Sequence, residues 1–144
     1  PMAFNVLVVD DSAVMRSMII RVVRLSGVPL GEFYEASNGA EGLAALEQHW
    51  VDLVLLDINM PVMNGEEMLR TMRAAPETAN TPVIVVSTES SETRVHALEA
   101  LDVAFVHKPF KPEELRATIL RVTGVTPEDE YYAVPAADGG DCDF

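Results

Sequence analysis

Two patterns of apolar residues alternate along the chain. Asn5 to Val9 (NVLVV) is a short, unbroken, β-branched run, the mark of a strand covered on both faces. Behind it Met15, Met18/Ile19, Val22 and Leu25 recur at helical spacing, and Gly27 supplies a C-terminal stop. The cycle repeats. GEFYEA is a weaker strand, followed by a helical segment carrying Leu43 and Leu46; LVLLD precedes a helix with Met68, Leu69 and Met72. PVIVVS precedes a helix with Val95, Leu98 and Leu101, AFVH is the fifth strand, and Leu115, Ile119 and Val122 mark the fifth helix. Five such βα units predict an α/β fold with a parallel sheet and helices on both faces.

In an open α/β sheet, ligands bind outside the C-terminal ends of the strands. The residues at those ends are therefore the candidates for chemistry. Strand one ends in Asp10 and Asp11, strand three in Asp57, strand four in Ser87 and Thr88, and strand five in His107, Lys108 and Pro109. Asp57 is the hardest to explain structurally. It follows VLL with no helix starting until about Gly65, so helix capping does not account for it. An Asp pair ahead of a helix is commonly a cap, a lone lysine commonly a solvated cation, and a strand-end hydroxyl commonly a partner for nearby backbone. Their convergence on one rim is what carries the functional reading.

Composition and charge narrow that reading. The 144 residues are 49% apolar and 23% charged, as expected for one globular domain. No apolar stretch approaches the ~18 residues of a membrane span, and no secretory signal is apparent, which predicts a soluble, cytoplasmic protein. The lone cysteine, Cys142, permits neither a disulfide framework nor a thiolate metal site within one chain. A net charge of −13 disfavours nucleic-acid binding. Six acids and no base fall between Val125 and Phe144, which reads as an acidic, flexible tail. The folded domain is expected over 2–124, where 17 acids face 10 bases.

Three carboxylates gathered at one rim repel one another unless positive charge sits among them. Mg²⁺, which takes oxygen ligands and keeps several waters, is the expected resident. Asp11 and Asp57 are candidates for direct coordination, Asp10 for coordination through water, and a backbone carbonyl near Asn59 for a further ligand. Lys108, one of only two lysines, offers a point charge suited to a phosphoryl oxygen, and Ser87 offers a hydroxyl.

VVDDSAVMR, LLDINMPVMNG, VVST and HKPF, in this order and spacing, resemble the receiver domains of two-component response regulators, and the stand-alone CheY type above all. The resemblance covers about Asn5 to Gly124. It implies a flavodoxin-like (CheY-like), doubly wound five-stranded parallel sheet of order 2-1-3-4-5 with five helices. It also implies that Asp57 is the phosphoacceptor, that Asp10 and Asp11 hold Mg²⁺, and that Lys108 is the family's lysine before proline. Ser87 matches the Ser/Thr that turns toward the phosphoryl group, with the adjacent Thr88 as the alternative. Phe105 matches the aromatic switch position, although it lacks the hydroxyl of the tyrosine often found there and can also be read as a core aromatic. Asn59 and Glu89 match two positions that tune dephosphorylation.

The function so implied is a phosphorylation-switched signalling protein. It takes a phosphoryl group from a histidine kinase and acts by protein contact, in chemotaxis or a similar pathway, through the face formed by the fourth helix, fifth strand and fifth helix. The expected state is a monomer or a phosphorylation-dependent dimer, and the chain is expected to be a regulator with self-catalysed phosphotransfer and not an enzyme. Two alternatives stand beside it. One is a relay intermediate passing phosphate to a histidine phosphotransfer protein. The other is an Mg²⁺-dependent phosphatase of the haloacid dehalogenase type, against which Asn59 counts, because such enzymes carry a second Asp at that position.

Overall fold

The computed structural model describes residues 3–126, so Cys142 and nearly all of the acidic 125–144 segment lie outside the described residues. Five strands, β1 (Phe4–Val9), β2 (Leu30–Ala36), β3 (Leu53–Leu56), β4 (Val83–Ser87) and β5 (Ala104–His107), form one parallel sheet of order β2-β1-β3-β4-β5. Helices α1 (Ala13–Arg24), α2 (Gly39–Gln48), α3 (Gly65–Ala74), α4 (Glu92–Glu99) and α5 (Pro112–Thr123) follow the strands in turn. Among the described residues, no helix is long and apolar enough to cross a membrane.

Alternate residues of each central strand serve opposite faces, which is why those strands read as continuous apolar runs. Val6, Val8, Leu53, Leu55, Ile84 and Val86 pack with Ile19 and Val23 of α1 and Leu115 and Ile119 of α5. Leu7, Val9, Val54, Leu56, Val83 and Val85 pack with Met68, Leu69 and Met72 of α3 and Leu98 of α4, with Leu43 and Leu46 of α2 at the margin. The edge strand β2 is mostly half-buried or exposed, hence its weaker pattern. It begins one residue before the expected GEFYEA, at Leu30.

Three element ends differ from the periodicity. Helix α1 stops at Arg24 with Leu25 as its cap residue, so the left-handed Gly27 (φ 95°) turns the chain two residues beyond the cap. Leu101 falls after α4, in a turn where its N–H donates to the Leu98 carbonyl at 2.9 Å. Ser12 caps α1, its hydroxyl accepting from the Met15 N–H at 3.1 Å, which leaves the Asp10–Asp11 pair free of the capping role.

Candidate functional site

Backbone hydrogen bonds just past the strand ends set the site. Asp57 N–H donates to the Val9 carbonyl at 2.9 Å, and Asp10 N–H to the Ala36 carbonyl at 3.0 Å. Lys108 N–H donates to the Ser87 carbonyl at 2.9 Å, and the Lys108–Pro109 peptide bond is cis. The ladder therefore carries Asp10, Asp57, Ser87 and Lys108 to one edge before the chain turns away.

Asp10 and Asp57 are buried, at 1% and 6% exposure, whereas Asp11 is exposed. One carboxylate oxygen from each of the three lies within 4.8 Å of the others. That spacing fits a hard cation, whose ligand oxygens in an octahedral shell lie roughly 3 to 4 Å apart. Lys108 Nζ donates to Asp10 Oδ2 at 2.8 Å and stands 3.6 Å from Asp57 Oδ2, a single cation between two buried carboxylates. The remaining oxygens are held by backbone: Asp57 Oδ1 accepts from Ile58 N–H at 2.8 Å, and Asp10 Oδ1 from Ser12 N–H at 2.9 Å. Both carboxylates are thereby oriented by the backbone.

Burial raises the Asp57 carboxyl above its ordinary value; the Lys108 charge opposes the rise, the Asp10 charge adds to it, and the Ile58 N–H moderates it. A carboxyl whose pKa is higher folded than unfolded favours the fold while protonated. That contribution is complete below the unfolded value and is lost as pH rises through the raised one. Asp57→Asn, which mimics the neutral form, is therefore expected to raise the melting temperature of metal-free protein by a few degrees at pH 8, the gain shrinking toward pH 4. Thermal unfolding of both proteins across that range checks it, and an equal or lower melting temperature for the variant at pH 8 refutes the electrostatic account of the pocket.

Ser87 is fully buried at the end of β4, its Oγ accepting from Glu89 N–H at 3.2 Å, and Thr88 is exposed one residue beyond. Asn59 is exposed in the loop after β3. Phe105, paired with Val85 across the sheet, is half-buried, and its ring lies 4.6 Å from that of His107. Sequence reasoning missed Arg16, whose Nη1 donates to the Asp10 carbonyl at 2.6 Å while Nε pairs with Glu35 at 2.7 Å. The available signal was a basic residue in the first turn and a half of the helix that follows the acidic pair.

A doubly wound sheet of this order, with an acidic cluster that could hold a metal ion and one lysine at its carboxyl edge, defines a flavodoxin-like α/β domain. The response regulator receiver domain family matches residues 6–120, and the chain belongs to that family. It is 35% identical over 117 residues to the cyclic di-GMP phosphodiesterase response regulator RpfG of Xanthomonas campestris, covering 81% of this chain and 31% of that protein. It is 39% identical over 116 residues to the transcriptional regulatory protein PrrA of Mycobacterium tuberculosis, covering 80% and 48%. The chain thus spans about a third to a half of the length of these curated relatives. Chemotaxis response regulator CheY4 of Vibrio cholerae superposes with a TM-score of 0.74 at 33% identity, covering 84% of this chain and 99% of that one.

Proposed function

We propose that the protein is a phosphorylation-switched signalling module in which Asp57 accepts a phosphoryl group from the phosphohistidine of a histidine kinase. The observation that carries this is the Asp57 carboxylate, buried beside Asp10 and Asp11 and within 3.6 Å of the Lys108 ammonium. A carboxylate oxygen of Asp57 attacks phosphorus and the P–N bond to the donor imidazole breaks, its electron pair staying on nitrogen, which takes a proton from solvent. Lys108 offsets charge growing on the phosphoryl oxygens, and the Ile58 N–H holds Asp57 Oδ1 so that its other oxygen faces the donor. A divalent cation on Asp10, Asp11 and Asp57, with the Asn59 carbonyl as a further ligand, would supply Lewis-acid neutralisation of the same oxygens.

The Ser87 hydroxyl then bonds the phosphoryl group, Thr88 taking that part if Ser87 does not, and Phe105 repacks inward, changing the α4–β5–α5 face that a downstream protein reads. For a domain about 1% active at rest, about 2.7 kcal/mol of differential stabilisation brings the two states level. Asn59 and Glu89 set the lifetime by screening the water that hydrolyses the acyl phosphate. The receiver spans 2–124, with 125–144 an appended acidic tail, in the cytoplasm. Chemotaxis is the output favoured by the likeness to CheY4, a chemotaxis regulator that this chain covers almost completely. Relay to a second histidine would share every site residue, whereas the phosphatase alternative is weakened by an amide, Asn59, where its second acid belongs.

Incubation with acetyl phosphate and Mg²⁺ is expected to add about 80 Da to the intact protein. EDTA prevents the gain, and the added mass is lost with time once the donor is removed. An unmodified protein beside a labelled control receiver would contradict the proposal, and sustained turnover of phosphomonoesters would favour the phosphatase.

A further inference from the structure

A chain of ion pairs runs from α3 to the rim of the pocket. Arg70 Nη2 pairs with Glu66 Oε2 at 3.0 Å, Arg94 Nε with Glu66 Oε1 at 3.1 Å, and Arg94 Nη1 with Glu89 Oε1 at 3.5 Å. Glu89 is two residues past Ser87, and its own N–H donates to the Ser87 hydroxyl, so its backbone belongs to the pocket. Its carboxylate Oε2 accepts from Ser91 N–H at 3.2 Å at the start of α4. Glu66 is a dependable anchor: the hydrogen bond from Arg70, helped by the Arg94 charge and opposed by partial burial, holds its carboxyl below the ordinary range.

Half-buried pairs at the protein surface contribute modestly to folding, so their larger consequence lies in charge placement. Two arginines and two glutamates make the chain neutral. Without Arg94, Arg70 would still neutralise Glu66, and Glu89 would keep its Ser91 N–H but lose its counter-charge beside a pocket that already gathers Asp10, Asp11 and Asp57 around Lys108.

We propose that Arg94, anchored by Glu66, is a positioning residue for phosphodonor entry: it holds the Glu89 carboxylate at the start of α4 and cancels its charge, so that an anionic donor does not meet a further uncompensated carboxylate at the acidic rim. The inference deepens the reading of Asp57 as phosphoacceptor and rests on it. It separates two properties of Glu89, since the charge facing the incoming donor is set by Arg94 and not by Glu89 alone.

The test is the initial rate of labelling by acetyl phosphate at saturating Mg²⁺, measured by intact mass for wild type, Arg94→Met, Arg94→Lys and Arg94→Met combined with Glu89→Gln. Arg94→Met is expected to slow labelling about three- to tenfold at ~20 mM salt and less than about twofold at ~0.5 M, where screening is nearly complete beyond a few ångströms. Arg94→Lys keeps most of the rate, and Glu89→Gln restores it in the Arg94→Met background. A wild-type rate for Arg94→Met, or a slow rate that neither salt nor Glu89→Gln relieves, overturns the proposal while leaving the phosphoacceptor intact. Absence of label on the wild type fells both.

Discussion

Lys108→Met is expected to cost the protein most of its phosphorylation rate and a substantial part of its stability together. The ammonium lies 2.8 Å from one buried carboxylate and 3.6 Å from another, and its side chain is only 13% exposed. Taking away one partner of a buried pair leaves uncompensated charge, at a cost of about 3 kcal/mol. Methionine keeps much of the alkyl stem, so the loss reports charge more than packing. Added Mg²⁺ is expected to recover part of the stability, because a cation held by the folded acidic cluster and not by the unfolded chain favours the fold. The rate is not recovered, because a preorganised charge on the developing oxyanion is worth about 10²-fold or more. Urea unfolding with and without Mg²⁺, beside the labelling rate, checks both halves. A rate within about threefold of wild type would remove Lys108 from the proposed chemistry.

Gly65→Ala has the second large effect, and it reaches the pocket through the backbone. Gly65 opens α3, and its N–H donates to the Ile58 carbonyl at 2.8 Å, drawing the helix start against the end of β3. A Cβ there would collide with the Asp57 carbonyl oxygen and stand 2.9 Å from both the Asp57 carbonyl carbon and the Ile58 Cα. These are main-chain atoms that cannot swing aside. The expected cost is about 3 kcal/mol, with slower labelling because the Asp57 carboxylate is displaced. Gly124→Ala is the control. Its φ of 72° favours glycine but nothing lies within 4 Å, so a loss of about 1 kcal/mol with no change in labelling is expected. Equal effects of the two substitutions would contradict the close-approach explanation.

Leu53–Leu56 and Val83–Ser87 could be read from the sequence because strands buried on both faces must be apolar throughout. The polar residues ending them then stood out, and Asp10, Asp11, Asp57, Ser87 and Lys108 do meet at one edge. Residues acting across long sequence gaps could not be found this way. Arg73 was one more helical cation by pattern, yet its guanidinium donates to the carbonyls of Leu101, Asp102, Thr78, Ala79 and Thr81, tying the turn after α4 to the loop after α3. Burial pulls its pKa down and the Asp102 charge opposes that. Arg16 and Arg94 were hidden for the same reason, since the partners of a long side chain are fixed by topology and not by period. Val62 was invisible for a different one. A β-branched residue at φ 68° is selected against locally, and it is held there by the Met63 N–H bond to the Pro61 carbonyl at 2.8 Å.

Asp57 itself is expected to carry the phosphoryl group. Borohydride reduces an acyl phosphate to an alcohol, so protein treated with acetyl phosphate and Mg²⁺ and then reduced should hold homoserine at position 57. The peptide containing that position should be lighter by about 14 Da, with no change at Asp10 or Asp11 and none in Asp57→Asn. A mass change on any other residue, or none beside a control receiver that reacts, would contradict the account.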